Sequence, residues 1–230
     1  YRTGIGVLKN LKVRQAIAHA INREELKRDV VVGGKQAFDI NALCIPFQIA
    51  CASTASLPEF NPAKAKKLLA EAGFANGFDI ELTAIARTRG VAEAISGYLH
   101  NVGIRGTIRQ VAFVAYRKLQ RAGKLQALVQ IYGSGGVADT GMILNFHFNN
   151  PSRDYAKDAR INEIAKLSDQ TYDAARRNKL IQESMDRNNH QLYVIPLAAA
   201  PQVFIQHKDL VIPTTTLNGY GAVLNQLRWR

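Results

Sequence analysis

Phe78-Asp79-Ile80-Glu81-Leu82-Thr83-Ala84-Ile85, then Val91-Ala92-Glu93-Ala94-Ile95-Ser96-Gly97-Tyr98-Leu99-His100-Asn101-Val102-Gly103, then Ile104-Arg105-Gly106-Thr107-Ile108-Arg109-Gln110-Val111 decide the fold of this chain. The first and third runs read as strands, and the second reads as a helix that Gly103 ends. Downstream the pattern repeats: Val114 to Ala122 reads as a helix ended by Gly123, and Leu125 to Tyr132 as a strand. Strand–helix–strand alternation at this spacing predicts an α/β sheet with crossover connections. The last strand leaves into a glycine-rich turn, Gly133-Ser134-Gly135-Gly136.

Upstream, Asn61-Pro62-Ala63-Lys64-Ala65-Lys66-Lys67-Leu68-Leu69-Ala70-Glu71-Ala72-Gly73 carries the asymmetry of a helix: a capping Asn, Pro at the first position, Gly just past the end. Ala65, Leu68, Leu69 and Ala72 form its expected buried stripe, which leaves Lys64, Lys66 and Lys67 as a solvated face. Residues 10 to 32 read as two helices, the second capped by Asn22 with Glu25 three residues on and stopped at Gly33-Gly34. Residues 35 to 60 read as a long loop. Beyond the sheet, two helices are expected near 158–169 and 173–188, with Asp173 capping the second. Gln191 to Ala199 and Gln202 to His207 read as strands, 208 to 221 as turn-rich, and Ala222 to Trp229 as a final extended stretch.

The chain has 230 residues, 47% hydrophobic and 21% charged, which is ordinary globular composition for one large domain, or one domain and part of another. It contains no 18-residue apolar run. Tyr1-Arg2-Thr3-Gly4 lacks the layout of a secretory signal, so a secreted form would have to be processed or truncated. The net charge of +12 raises nucleic acid, anionic lipid or an acidic ligand as partners. Arg and Lys are nevertheless spread through every segment, without the basic–aromatic interleaving of an RNA reader. The expectation is a basic surface and no nucleic acid.

Catalysis has no visible constellation. The five histidines, at 19, 100, 147, 190 and 207, have neither HExxH nor paired ligand spacing, no serine sits in a G-x-S-x-G elbow, and the glycine cluster lacks the Lys-Ser/Thr of a phosphate loop. No metal or other cofactor is expected. Cys44 and Cys51 flank six residues that include Pro46. An oxidising compartment would close them into a disulfide loop. Two buried thiols are the other reading, and a metal site would want further ligands where no histidine lies near.

Several segments, in order, carry a family likeness. Leu11-Lys12-Val13-Arg14-Gln15-Ala16-Ile17-Ala18-His19-Ala20-Ile21-Asn22-Arg23-Glu24 resembles a "VRQAI-x-x-AID-R-E" segment, and Asn61 to Phe74 with Gly77-Phe78 a "DP-x-KAK-x-LL-x-EAG-(F/Y)…GF" segment. Leu99 to Ile104 is similar to "L-x-x-(I/V)GI", and Tyr132 to Asp139 to an aromatic–Gly–x–x–Asp ligand segment. Arg153 to Asp158 resembles "DDYARDP", and Thr171 to Arg177 through Val194-Ile195-Pro196-Leu197 resembles "TDP-x-x-R…(V/I)PL". Together they resemble the peptide/nickel class of solute-binding proteins of ABC importers, bacterial solute-binding family 5. Tyr132 stands where the family often has Trp, Thr140-Gly141 where Pro or a small residue often follows the Asp, Asn61 where Asp is usual, and Ala174 where Pro is usual.

The resemblance implies a mixed sheet with flanking helices, forming one lobe of a periplasmic-binding-protein-like (type II, cluster C) clamshell. Residues 1–200 would form the C-terminal ligand-binding lobe. Residues 201–230 would return to an N-terminal lobe that this chain lacks. It also implies a periplasmic protein that is no enzyme and that hands peptide-like solutes to ABC permease subunits in the membrane. Asp139 would pair with a ligand ammonium, or else cap the following helix. Tyr132 would supply an aromatic wall or belong to the core, and Gly133 and Ser134 would offer backbone donors or form an ordinary loop. Arg153 would meet a ligand carboxylate, or else pair with Asp154 at the surface. Phe146 and His147 lie near the same region, with a packed Phe and a solvated His as the default. The rival readings are an interaction module outside transport, pairing as a homodimer through the surface the other lobe would cover, and a basic nucleic-acid binder.

Overall fold

The computed structural model describes residue 3 and residues 6–133, 137–201, 205–212 and 227–230. Two helices open it, α1 (Leu11–Ala20) and α2 (Arg23–Asp29), followed by a long loop and α3 (Pro62–Glu71). Each start is capped as the residue types dictate. Asn10 accepts from the Lys12 amide, Asn22 from the Glu25 amide and Asn61 from the Lys64 amide. Glu25 returns its carboxylate to the Asn22 side-chain amide rather than to the backbone.

Strand β1 (Phe78–Ala84) pairs in parallel with β2 (Ile104–Gln110) over its whole length, and α4 (Arg89–His100) makes the crossover between them. Helix α5 (Phe113–Arg121) then carries the chain to β3 (Ala127–Leu128) on the other edge of β1, giving a parallel sheet of order β2-β1-β3. The turns into β1 and β2 meet at two glycines with φ of +71° and +92°, and a Cβ on Gly77 would stand 1.7 Å from the Gly103 carbonyl oxygen. Only glycine at position 77 permits that approach.

β3 is far shorter than the expected run from Leu125 to Tyr132. The Val129 amide still reaches the Thr83 carbonyl, but β1 ends at Ala84, and the Val129 carbonyl accepts from the Thr88 hydroxyl at 2.9 Å. With its last acceptor satisfied by a side chain, the segment has no strand to continue along.

The C-terminal part is helical: α6 (Gly141–His147), α7 (Ala159–Gln170) and α8 (Ala174–Gln191). Asp158 caps α7 and Asp173 caps α8. The strand expected over Gln191 to Ala199 does not form. Gln191 closes α8, Leu192 turns at φ 53°, and the buried Asn188 side chain satisfies both the amide and the carbonyl of Val194. Ala199 makes a lone antiparallel bridge to Phe38. Residues 205–207 carry no strand, and 202–204 lie outside the described residues. Of the last stretch, β4 (Leu210–Val211) and β5 (Arg228–Trp229) pair antiparallel in a sheet of their own, while 213–226 lie outside the described residues.

Two apolar cores result. One joins α1–α4 to the sheet through Val13, Ile17, Leu26, Leu69, Ile80, Leu99 and Ile104. The other joins α6, α7 and α8 to residues 42–44 through Ile143, Leu144, Phe148, Ile161, Ile181 and Met185. Arg14, buried on α1, ties the two regions together by donating to the carbonyls of Leu8, Lys9 and Gln191, the last of these ending α8.

Beside the apolar contact of residues 42–44, polar groups also fasten the long loop to α8. Asp186 accepts from the Ser53 and Thr54 hydroxyls and from the Thr54 and Ala55 amides. Asn189 donates to the carbonyls of Asn41 and Ala55. Replacing Asp186 by Ala strands those donors and is expected to cost about 1–3 kcal/mol in urea unfolding. Asp79→Ala, at a side chain 77% exposed, should stay within about 0.5 kcal/mol of wild type. Equal effects at the two positions would show that the loop is held by something else.

Candidate functional site

Cys44 and Cys51 are joined in a disulfide with Cα atoms 5.6 Å apart. The closed loop folds on itself: the Gln48 amide donates to the Ile45 carbonyl, the Cys51 amide to the Gln48 carbonyl, and the Ile45 amide to the Gln48 side chain. Its far side meets the segment before α6. The Ile49 amide donates to the Ala138 carbonyl, the Thr140 amide to the Ile49 carbonyl, and the Gln48 side chain to the Val137 carbonyl. A covalent ring thus presents a backbone edge on which residues 137–140 are laid as a short parallel bridge.

That placement sets Asp139 against α8. Both of its oxygens accept from Arg177, at 2.8 Å each, and one also accepts from the Gly141 amide at 2.7 Å. A Cβ on Gly141 would lie 2.7 Å from Arg177 Nη2 and 2.9 Å from Asp139 Oδ1, so glycine is what lets the pair close. Burial pushes the Asp139 carboxyl up, and the Arg177 and Gly141 hydrogen bonds outweigh it, leaving the group below the usual carboxylate range. Arg177 is held above its ordinary value, chiefly by its hydrogen bonds to Asp139. Asp139 is therefore an ionised, fully engaged group, only 25% exposed at its side chain. Its expected alternative as a helix cap is met only by the Gly141 amide.

The other expected residues gather elsewhere on α6. Phe146 lies near the far end of α6, about 7.5 Å along the helix axis from Gly141. Tyr132 packs edge-on against Phe146, with ring centroids 4.9 Å apart, and lies 5.5 Å from the ring of His147. The Arg153 guanidinium lies over Phe146 at 4.0 Å, close enough for a cation–π contact, with Arg117 of α5 at 5.9 Å from the same ring. The expected Arg153–Asp154 surface pair does not form. Asp154 is buried and accepts from the Ala156 and Lys157 amides and from Asn162. Gly133 is exposed beside open space, and Ser134 lies outside the described residues.

His147 departs from its expected solvated role, being buried with Nε2 unpartnered among the described residues. Sequence reasoning also missed Arg117 and Arg177. Arg177 sits in the first turn of α8, where the helix dipole disfavours a cation, and that misfit was the available sign of a dedicated acidic partner. Among the described residues no group of three or more His, Cys, Asp or Glu is arranged to hold a metal ion. No described helix is long and apolar enough to cross a membrane. A concavity of about 700 Å³ between α2, α4 and β2 is lined by Glu25, Asp29, Tyr98 and Arg105 and includes none of the candidate residues.

A parallel sheet wrapped by helices, with aromatic and cationic side chains assembled just past the carboxyl end of β3, has the design of a ligand-binding α/β domain. Residues 1–154 match the family described as bacterial extracellular solute-binding proteins, family 5 Middle, and the chain belongs to that family. It is 27% identical to the di/tripeptide-binding protein 3 of Pseudomonas aeruginosa over 94% of its length, and 29% identical to the dipeptide-binding protein of Escherichia coli over 60%. Among solved structures, HbpA2 from Haemophilus parasuis aligns with a TM-score of 0.79 at 26% identity, covering 86% of this chain and 41% of that one. The dipeptide-binding protein of Pseudoalteromonas, solved with Met-Leu, shares the fold with a TM-score of 0.86 at 22% identity, covering 100% of this chain and 47% of that one. This chain spans 43% of the Pseudomonas protein and 26% of the Escherichia coli protein.

Burial pushes the His147 imidazole down to about 3, whereas an unfolded-state histidine titrates near 6.5. On acidification the unfolded chain therefore binds this proton first. The His147 contribution is complete above about pH 6.5 and is lost as pH falls towards 3. Urea midpoints measured at about pH 7 and about pH 5 should fall in the wild type, and fall less in His147→Gln. An undiminished fall in the variant would assign the loss to other groups.

Proposed function

We propose that this chain forms most of one lobe of a periplasmic solute-binding component of an ABC importer, capturing peptide-like solutes for delivery to membrane permease subunits. Binding, not catalysis, is its role. Residues 1–200 make the lobe, and 201–230 make a segment that returns towards a second lobe, a division supported by the separate β4–β5 sheet. The relatives with peptide-binding names are longer, and a solute enclosed between two lobes would draw its remaining contacts from the length they carry beyond the match.

The observation that carries this reading is the cluster of Tyr132, Phe146 and Arg153 beyond the carboxyl end of β3 in a family 5 chain. Apolar faces with a polar tip and a nearby guanidinium suit solutes that mix hydrocarbon with charge, as short peptides do. Phe113, Val114 and Ile131, all exposed, continue the apolar surface at the same end of the sheet. Asp139 is not free for a solute ammonium while Arg177 holds both its oxygens, so its role in the proposed site is to fix the start of α6.

A titration of the chain with trialanine and Ala-Phe, followed by amide resonances, is expected to give saturable shifts around 131–133 and 146–153. The affinity should be on the order of millimolar, since one lobe supplies only part of the contacts. Micromolar binding would contradict the half-site reading, and flat resonances at saturating peptide would contradict the peptide reading.

A further inference from the structure

We propose that the outer face of α5, with the turn that follows it, docks on an anionic lipid bilayer, an interaction separate from solute capture. The partner is a membrane surface that bears phosphatidylglycerol-type headgroups.

The charge of this region is one-sided. No Asp or Glu occurs at any of the 45 positions from 94 to 138, whereas Arg105, Arg109, Arg117, Lys118, Arg121 and Lys124 all fall there. Arg105 and Arg109 pair with Asp79 and Glu81 of β1. Among the described residues no carboxylate lies at ion-pair distance from Lys118, Arg121 or Lys124, and all three are exposed. A cation near the C-terminal end of a helix suits its dipole, which explains Lys118 and Arg121 singly. It explains neither the missing acids nor the exposed apolar first turn.

Helical spacing sets apolar and basic groups side by side. Val114, Lys118 and Arg121 stand at i, i+4 and i+7, on one face of α5. Val114 is 80% exposed, and Phe113 beside it 61%. The opposite face is the fastened one, with Tyr116 and Gln120 buried. The Tyr116 hydroxyl donates to the Gln130 side chain at 2.9 Å, and the Gln120 carbonyl accepts from the Tyr155 hydroxyl at 2.7 Å. The helix is thus held by its inner side and leaves its outer side open to a large partner. An apolar residue at the head of a row of cations suits the boundary between acyl chains and anionic headgroups. A nucleic acid would meet the cations but leave Phe113 and Val114 without a role.

The test is cosedimentation of the intact chain with phosphatidylcholine vesicles, with and without about 30 mol% phosphatidylglycerol. Binding is expected to the anionic vesicles alone, at low ionic strength, and should weaken as salt rises towards about 0.15 M. Lys118→Gln and Arg121→Gln should each weaken the partition about fivefold, and Val114→Ser about threefold. Lys66→Gln and Lys67→Gln, at exposed positions on α3, should leave it unchanged. Equal losses from the α3 variants would overturn the assignment in favour of the general basic field. No binding to the anionic vesicles would overturn it outright and leave the face to an acidic protein. Retention on duplex DNA at salt that releases the vesicles would overturn it in favour of nucleic acid. None of these outcomes alters the peptide titration, so the solute reading stands or falls separately.

Discussion

The bidentate ion pair between Asp139 and Arg177 joins the start of α6 to the first turn of α8 across 38 positions of sequence. It depends on three further features that the chain supplies separately. The disulfide ring lays residues 137–140 in register, Gly141 leaves room for the guanidinium, and the Ser168 carbonyl accepts from Arg177 Nε. The pair fixes the start of α6, while Ile143 and Leu144 in the core and Asn145 on Asp169 hold the rest of the helix. The interaction is about geometry more than net stabilisation, since a part-buried pair recovers little beyond its desolvation cost.

Such an arrangement separates two tasks that the sequence motif runs together. The acidic residue that follows the glycine-rich turn fixes the backbone, and in the proposed function the solute-facing chemistry falls to the aromatic and arginine side chains one helix away. Tyr132, Phe146 and Arg153 are brought together by packing, and Arg117 reaches them from α5 because Tyr155 fastens the two segments. Elsewhere some of the basic residues are paired, as at Arg160 with Glu163 and Glu183 and at Arg187 with Asp158.

What was legible in the residues follows from how local each signal is. Asn61-Pro62 with Gly73, Asn22 with Glu25, and Asp173 mark helix ends within a few positions, and each does so in the structure. The β1–α4–β2 unit could be read because glycine stops and alternating runs are local too. The segment from Gln191 to Ala199 has the composition of a strand but finds its hydrogen bonds in the Asn188 side chain, a contact no periodicity reveals. Arg117, Arg177 and the burial of His147 depend on tertiary neighbours far off in sequence, so the candidate site was legible as residue types and not as an assembly. Arg153 was assigned a neighbour, Asp154, that turns inward to its own loop.

The division of labour between Asp139 and the arginine cluster is tested most directly by a double-mutant cycle on Asp139→Asn and Arg177→Met, measured by urea unfolding. The account predicts a coupling of about 1 kcal/mol or more between the two positions, with the double variant less destabilised than the sum of the singles. Additive effects would mean that Asp139 is not held by Arg177 in solution, and its carboxylate would return as a group free to meet a solute.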